Sequence, residues 1–390
     1  MVTKIKNGKL LLPECIDEGA SLYFKEGKIT AITKEELPFD KEIDAGGQFV
    51  SPGFIDIHVH GGGGYDFMDG GTAAIIGAAD LHLKHGTTTI LPTSLACSTE
   101  VLHEFLKDLQ KVMDEKMSNA RIVGTHLEGP YFALSQSGAQ PPEYIKAPTP
   151  EEYEPIIERY GHIIKRWSFA PELSGSVAFC KHLVQNGILP SIAHTNALLE
   201  DVEAVYEAGC RMVTHLYSSM STITRRGGFR QLGVIEATYL SDDIIAEVIA
   251  DGCHLPPPLL KLIIKQLGTE RICLVTDAMR GAGMPDGVES LIGRKGEGMS
   301  CVIEDGVAKL LDRSAFAGSV ATTDRLVRTM VLKVGLSVSE AVRLMTENPA
   351  KVLGRDDLGV LKVGACADIV IFDDDIRVSA VIADGKEIAI

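Results

Sequence analysis

The stretch FIDIHVH, residues 54–60, joins a short apolar run to two histidines, His58 and His60, that are two residues apart. Side chains alternate between the two faces of a β-strand, so both imidazoles of such a strand point the same way. Two neutral imidazoles that converge on one point form half of a site for a divalent cation. The four glycines at residues 61–64 follow directly and let the backbone turn tightly or approach a ligand closely.

Similar apolar runs recur along the chain as far as residue 279, and amphipathic segments separate them. With FIDIHVH they number about eight; the others are GTTTILPT, RIVGTHLEGP, IKRWSFAPE, ILPSIAHT, RMVTHLY, IAEVIADGCH and RICLVTDAM. Eight alternating β/α units are the number that closes a TIM barrel. The sequence therefore predicts an α/β fold built on a (β/α)8 TIM-like barrel.

Most of these runs end in a polar residue, and the carboxyl ends of barrel strands are where such folds carry their active sites. A carboxylate among apolar neighbours, such as Glu128, needs a partner, which a metal ion or an arginine can supply. Together the strand ends predict a metal site formed by His58, His60, Glu128, His194, His215 and Asp277. Histidines 82, 85, 103, 126, 162 and 182 are interpreted as solvated or structural.

Both ends of the chain have a different pattern from the middle. SLYFKEGKITAI (residues 21–32) and VSAVIADGKEIAI (residues 378–390) each contain two strand-like runs around a tight turn, at Glu26-Gly27 and Asp384-Gly385. This pattern predicts a small β-sandwich domain built from both termini. We expect residues 1–52 and 356–390 to form it and residues 53–355 to form the catalytic barrel.

Composition excludes several classes of protein. The chain has 38 basic and 53 acidic residues and a net charge of −15, which argues against a general nucleic-acid surface. No apolar stretch approaches the roughly 18 to 20 residues of a membrane span, and the start has no signal-peptide core. The eight cysteines include no CxxC pair and so predict neither a zinc knuckle nor a disulfide framework. We expect a reduced, cytoplasmic enzyme without nucleic-acid or membrane partners.

The motifs resemble a known family over nearly the whole chain. PGFIDIHVHG, LEGPYF, SGAQ, AHT, THLYSSM, ADGCH, LVTDAM and AFAGS are similar to motifs of the N-acetylglucosamine-6-phosphate deacetylase family, in the amidohydrolase superfamily. The match runs from Pro52 to about Asn348, and GVLKVGACADIVIFD resembles the superfamily's closing β-sandwich strand. The resemblance implies hydrolysis of the acetamide of N-acetyl-D-glucosamine 6-phosphate, or a close N-acetylhexosamine 6-phosphate, to the amino sugar phosphate and acetate.

The resemblance also implies roles for individual residues. Glu128, His194 and His215 would hold the principal metal, and His58 and His60 a second, with Glu128 bridging; one or two divalent ions, zinc, iron or similar, are expected. Asp277 would act as general base and then general acid. Arg226 would reach the phosphate bound by the neighbouring subunit, which implies a homodimer. The substrate-binding positions implied are Ala139, Gln140, Ser218, Ser219, Arg226, His254, Phe316, Ala317 and Gly318.

Two departures from the family pattern leave alternatives open. Ser218-Ser219 stands where the family usually has Asn-Ala, and Gln140 stands where many members have histidine. An amidohydrolase that acts on another small N-acyl compound or on an epimeric amino sugar is therefore the main alternative. A non-catalytic assembly protein of the same fold is a second one, but such relatives typically lack the metal ligands, and this chain keeps all five together with Asp277.

Overall fold

The computed structural model describes residues 1–313 and 315–390. The N-terminal region forms short strands before the first long helix. These are β1 (Val2–Lys6), β2 (Lys9–Leu11), β3 (Ile16–Asp17), β4 (Ser21–Lys25), β5 (Lys28–Thr33), β6 (Lys41–Asp44) and β7 (Phe49–Pro52).

The middle of the chain contributes sixteen further strands in the described residues. They are β8 (Phe54–Val59), β9 (Gly61–Gly62), β10 (Tyr65–Asp66), β11 (Thr87–Pro92), β12 (Arg121–Ile122), β13 (Thr125–Glu128), β14 (Ile164–Phe169), β15 (Leu189–Ile192), β16 (Met212–Val213), β17 (Thr224–Arg226), β18 (Phe229–Gln231), β19 (Ile245–Val248), β20 (Ile272–Leu274), β21 (Glu289–Ile292), β22 (Met299–Glu304) and β23 (Val307–Leu310). Each of the eight apolar runs contains one of the parallel strands β8, β11, β13, β14, β15, β16, β19 or β20.

These parallel strands form two sheets. One has the order β12-β11-β8 and the other has the order β13-β14-β15-β16-β19-β20. Parallel backbone bridges between Thr93 and His126 and between Val59 and Ala278 lie beside the sheet edges. Every residue of β8 and of β11 is buried, as expected for parallel strands that are covered on both faces.

Helices alternate with the parallel strands and cover them. They are α1 (Thr72–Lys84), α2 (Thr99–Asp114), α3 (Pro150–Tyr160), α4 (Ser176–Gln185), α5 (Leu199–Glu207), α6 (Val234–Leu240), α7 (Pro257–Leu267), α8 (Thr323–Thr329), α9 (Val338–Arg343) and α10 (Glu347–Val352). Helix α2 illustrates the sequence logic, because Ser98 Oγ accepts the Val101 N–H at its start and the buried side chains recur at helical spacing. None of the helices in the described part of the chain has the length and apolar character needed to cross a bilayer.

Strands from both ends of the chain share sheets and a core. The last strands are β24 (Ile369–Phe372), β25 (Val378–Ala383) and β26 (Lys386–Ile388), and they join N-terminal strands in the order β26-β25-β24-β7-β2-β3. A second sheet has the order β5-β4-β1-β6. One buried cluster contains Ile5, Leu22, Val50, Ile369 and Ile382, so apolar residues of both termini pack together. The strand pairs predicted around Glu26-Gly27 and Asp384-Gly385 are confirmed as β4-β5 and β25-β26.

Three antiparallel elements of the described residues lie outside the predicted set of strands, and one of them pairs β9 with β10 directly after His60. Strands β21, β22 and β23 form a three-stranded sheet, and β17 and β18 form a hairpin that is exposed along most of its length. The hairpin carries Arg226 and pairs it with Phe229.

Candidate metal centre and substrate cavity

The structure brings the six residues of the predicted metal site together in two groups. Glu128, His194 and His215 form one group, and His58, His60 and Asp277 form the other; within each group one ligand atom per residue lies within 4.8 Å of the others. All except Asp277 are buried. They are contributed by widely separated parts of the chain, and they meet because the parallel strands of the two neighbouring sheets present their carboxyl ends on the same side.

Glu128 lies between the two groups. Its Oε1 is 3.1 Å from His215 Nε2 and 3.4 Å from His194 Nε2. Its Oε2 is 3.3 Å from His60 Nε2, and Oε1 is 3.5 Å from His58 Nε2. One carboxylate is thus within reach of all four imidazoles, which is the arrangement a bridging ligand requires.

The donor set fits divalent cations. His58 Nε2 and His60 Nε2 are 3.2 Å apart, and His194 Nε2 and His215 Nε2 are also 3.2 Å apart. An unprotonated imidazole nitrogen carries a lone pair and can only accept. Two such nitrogens at this distance cannot hydrogen bond to each other, whereas a cation can bind both lone pairs. Imidazole and carboxylate ligands suit zinc, iron and related ions.

The electrostatics of the site also favour positive charge. Burial acts to raise the pKa of Glu128, but His58 together with hydrogen bonds to His194 and His215 lowers it well below the usual range. Burial likewise opposes ionisation of Asp277, but His58 and His60 lower its pKa to about 2. Burial lowers the pKa of His60, whereas hydrogen bonds to Asp277 and Glu128 outweigh it and raise this pKa to about 9. Both carboxylates therefore favour their ionised forms, in which they can bind a cation.

The backbone at three of these residues adopts the left-handed region that L-amino acids rarely occupy. The φ angle is 45° at His194, 31° at His215 and 47° at Asp277. Each residue follows the end of a parallel strand, where the chain turns away from the sheet. Such strained φ angles are typical of functional sites, where the surrounding structure holds a side chain in one direction.

The glycines after His60 are explained by close packing. A Cβ on Gly61 would lie 2.2 Å from the carbonyl oxygen of Tyr65, and one on Gly62 would lie 2.8 Å from Nε2 of His82. His82 Nε2 in turn lies 2.8 Å from the Gly61 carbonyl oxygen. The glycines therefore allow this segment to pack directly against helix α1, immediately after the two histidines.

A cavity of about 210 Å³ opens beside the two groups. Seven of the nine predicted substrate-binding residues line it: Ala139, Gln140, Ser218, Ser219, His254, Phe316 and Gly318. Ala317 is buried and lies outside the lining, and Arg226 lies on the exposed β17 strand and is not among the lining residues. Leu95 and Ile292, which the sequence analysis does not single out, form part of the apolar wall.

Two of the lining residues are held by buried partners. Gln140 Nε2 donates to Glu128 Oε2 over 2.7 Å, while its Oε1 accepts the Ala96 N–H over 2.7 Å. His254 Nδ1 lies 2.7 Å from Asp251 Oδ2, and its ring centroid is 4.9 Å from that of Phe316. Gln140 therefore contacts the carboxylate of the candidate metal site itself, and His254 has its other nitrogen, Nε2, on the side away from Asp251.

Sequence reasoning missed a buried ion pair beneath the site. Glu247 and Arg166 are buried and form a hydrogen-bonded pair, and Glu247 Oε2 is 3.0 Å from His58 Nδ1. The sequence does contain an indication of these buried charges, because each residue is charged and lies within an apolar strand-like run. The runs are IAEVIADGCH for Glu247 and IKRWSFAPE for Arg166. His126 is likewise buried, with its ring centroid 4.6 Å from that of His58.

Comparisons with known proteins give a consistent result. The model of the amidohydrolase family matches residues 49–388. The chain is 31% identical over 371 residues to the N-acetylglucosamine-6-phosphate deacetylase of Lysinibacillus sphaericus, covering 95% of this chain and 93% of the relative. It is 31% identical over 388 residues to the N-acetylgalactosamine-6-phosphate deacetylase of Escherichia coli O157:H7, covering 99% of each. Its structure is similar to that of the N-acetylglucosamine-6-phosphate deacetylase of Pasteurella multocida, with a TM-score of 0.92, 27% identity and all of both chains covered.

Proposed function

The chain belongs to the amidohydrolase family and, within it, to the N-acetylglucosamine-6-phosphate deacetylase family, and from this premise we propose that it removes acetate from an N-acetylhexosamine 6-phosphate. It is a metal-dependent hydrolase. The observation that carries the proposal is the position of Asp277, which joins the metal-binding cluster and also lines the cavity. N-acetyl-D-glucosamine 6-phosphate is the proposed substrate.

The fold that positions this site is a (β/α)8 barrel with a small β-sandwich domain. The two parallel sheets contain nine strands. Eight of them, one from each apolar run, alternate with helices, and the bridges at Thr93–His126 and Val59–Ala278 support the closure of the sheets into one ring. The core shared by N- and C-terminal strands supports the sandwich. Residues 53–355 are the proposed barrel domain, and residues 1–52 with 356–390 are the proposed sandwich.

The residues of the cluster divide into two proposed metal sites. Glu128, His194 and His215 would hold the principal ion, and His58 and His60 would hold a second one with the help of Glu128. A bound divalent cation supplies two things here, a lower pKa for a water molecule and polarisation of the acetamide carbonyl. Gln140 fixes the orientation of the Glu128 carboxylate through its 2.7 Å hydrogen bond.

Asp277 carries the proton transfers. Its carboxylate is ionised at neutral pH, so it accepts a proton from the water that attacks the acetamide carbon. The same carboxyl group then donates that proton to the amide nitrogen as the carbon–nitrogen bond breaks, which releases acetate and the amine of the sugar. General acid–base assistance of this kind contributes about 10²- to 10⁴-fold in rate.

The sugar phosphate is held by groups from two copies of the chain. His254, Ser218 and Ser219 line the cavity, whereas Arg226 lies on the exposed β17–β18 hairpin. Phe229, which is 80% exposed, is paired with Arg226 on the same hairpin. An arginine that lies outside its own cavity, beside an exposed aromatic ring, supports a homodimer in which the hairpin completes the partner's site. Guanidinium groups suit phosphate oxygens because they donate two parallel hydrogen bonds.

A second candidate substrate is the epimer N-acetylgalactosamine 6-phosphate. The similarity to the E. coli N-acetylgalactosamine-6-phosphate deacetylase, 31% over 99% of both chains, supports it. The Ser218-Ser219 departure from the family pattern lies in the cavity and is a place where the specificity for the sugar can change.

Acetate release tests the proposal and separates the candidates. The enzyme would be assayed with N-acetylglucosamine and N-acetylgalactosamine, each with and without the 6-phosphate, and with metal analysis of the same preparation. Hydrolysis of the glucosamine 6-phosphate at the highest kcat/KM supports the main proposal, and a preference for the galacto epimer supports the second. Release of acetate from none of them by a metal-loaded preparation would refute both.

A further inference from the structure

The buried carboxylate of Glu247 contacts both halves of the proposed metal centre from beneath. Its Oε2 lies 3.0 Å from His58 Nδ1 and accepts the backbone N–H of His215 over 3.1 Å. Its Oε1 accepts a hydrogen bond from Arg166. Glu247 is therefore in contact with one ligand from each group while lying outside the cavity lining.

Arg166 is fixed in place by a second set of buried contacts. Its Nη2 donates to Thr214 Oγ1 over 2.7 Å and to Ser191 Oγ over 3.2 Å, and its Nη1 donates to the Ile57 carbonyl oxygen over 3.4 Å. Both Arg166 and Glu247 are buried, with exposures of 1% and 0%. A charge pair so deep in the protein is costly to form unless its members are closely hydrogen bonded, and removing one partner alone leaves an uncompensated charge.

The contact with Glu247 decides which nitrogen of His58 is available to a cation. An ionised carboxylate only accepts hydrogen bonds, so His58 Nδ1 must carry a proton to bond with Glu247. Neutral His58 then has its lone pair on Nε2, the atom that lies 3.2 Å from His60 Nε2 and 3.4 Å from Asp277 Oδ1. A carboxylate behind a histidine ligand fixes its tautomer and orientation and increases its basicity.

We propose that Glu247 is a positioning residue that sets the tautomer of His58, with Arg166 as its counter-ion. Through this tautomer, Glu247 determines how tightly the His58–His60–Asp277 group binds a cation. The inference rests on the proposed metal-dependent function. The proposed effect on cation affinity differs between the two groups of ligands, because Glu247 contacts a ligand side chain in one group and only a backbone N–H in the other.

The test is a zinc titration of the metal-stripped enzyme, followed by metal analysis after equilibrium dialysis. In Glu247→Gln we expect one ion to bind as in the unmodified enzyme and the second to bind about tenfold to hundredfold more weakly. The matched control is Glu270→Gln, which removes the carboxylate of a surface pair with Arg343 and should leave both affinities unchanged. Two ions bound with unaltered affinity in Glu247→Gln, or both weakened equally, would overturn the proposal. Failure of the unmodified enzyme to bind any zinc would instead overturn the proposed function.

A second variant and a direct measurement cover the case in which Glu247→Gln does not fold. The double variant Arg166→Gln/Glu247→Gln removes both charges together, so neither is left unpaired, and it should show the same selective loss. In the zinc-loaded, unmodified enzyme, proton NMR should show a downfield His58 Nδ1–H that exchanges slowly with water and is missing from His58→Gln. A rapidly exchanging or absent Nδ1–H would contradict the hydrogen bond and the proposal with it.

Discussion

The carboxylate of Asp277 lies 3.1 Å from Nε2 of His60, on the side of the metal-binding cluster that opens into the cavity. The Asp277 side chain is 14% exposed, whereas that of Glu128 is 2% exposed. The two acids of the cluster therefore differ in access. Both acids line the cavity, but Glu128 is enclosed by imidazoles and Asp277 is the more exposed of the two.

This difference predicts separate effects for the two acids. Asp277→Asn keeps an oxygen ligand beside His60 but removes the group that accepts and returns the proton. We expect kcat to fall about 10²- to 10⁴-fold, while the ion at Glu128, His194 and His215 is retained. Steady-state acetate release and metal analysis of the same sample measure the two effects. Turnover at the unmodified rate would show that another group transfers the proton.

For Glu128→Gln, in contrast, we expect the primary effect to be a loss of metal binding. The carboxylate is within 3.5 Å of a nitrogen of each of the four histidines, so its charge contributes to both groups. We expect less than one ion per chain after dialysis and, as a consequence, loss of activity. Glu154→Gln, at an exposed position of helix α3, is the control. A full metal complement in Glu128→Gln would contradict the bridging position.

Much of this site can be predicted from sequence because each ligand stands at the end of an apolar run. His194, His215 and Asp277 follow strands β15, β16 and β20 by a few residues. In a barrel the carboxyl ends of the strands lie on one face, so residues that follow them are expected to lie close together. The exposed hairpin at Arg226 explains why that residue is absent from the cavity of its own chain. The cytoplasmic location that we expect from the cysteine pattern stays a prediction.

Residues that contact a candidate ligand but do not themselves belong to the metal site are harder to predict, since their role depends on a partner distant in sequence. An arginine is one of the partners that the sequence allows for Glu128, but in the structure the buried arginine pair forms at Glu247, with Arg166 on another strand. Both are charged residues within apolar runs, and nothing in the sequence alone says which buried acid meets which base. The β21–β23 sheet lies outside the eight apolar runs that predict the barrel, so that pattern does not indicate it.

The position of Arg226 predicts an effect on binding of the phosphate rather than on the chemical step. Arg226→Ala should raise KM for the 6-phosphate substrate by about tenfold or more, as expected for loss of a charge-assisted pair, and have much less effect on an unphosphorylated analogue. Arg225→Ala is the matched control, because adjacent residues of a strand point to opposite faces. Equal changes in KM for both substrates would show that Arg226 does not contact phosphate.

Subunit mixing tests whether Arg226 acts across a dimer. A heterodimer of an Arg226→Ala chain and an Asp277→Asn chain has one site with both residues intact if each site takes Arg226 from its partner. It should recover about half of the activity of the unmodified dimer, although each parent homodimer is impaired. If Arg226 serves its own chain, both sites of the heterodimer are defective. Differently tagged chains allow the heterodimer to be purified and assayed for acetate release.

His82 predicts a pH dependence of stability that is separate from the acids of the site. It is fully buried in helix α1, and burial lowers its pKa from 6.5 to about 4. Between these values the unfolded chain binds a proton that the folded chain excludes, so the free energy of unfolding falls as the pH drops below 6.5. The contribution lost between pH 7 and pH 5 is about 2 kcal/mol.

His82→Gln retains a donor for the Gly61 carbonyl oxygen but does not titrate, so its urea midpoint should depend less on pH than that of the unmodified protein. His162→Gln, at an exposed position, should leave the dependence as it is. Parallel curves for His82→Gln and the unmodified protein would show that His82 is not the buried neutral histidine that the structure describes.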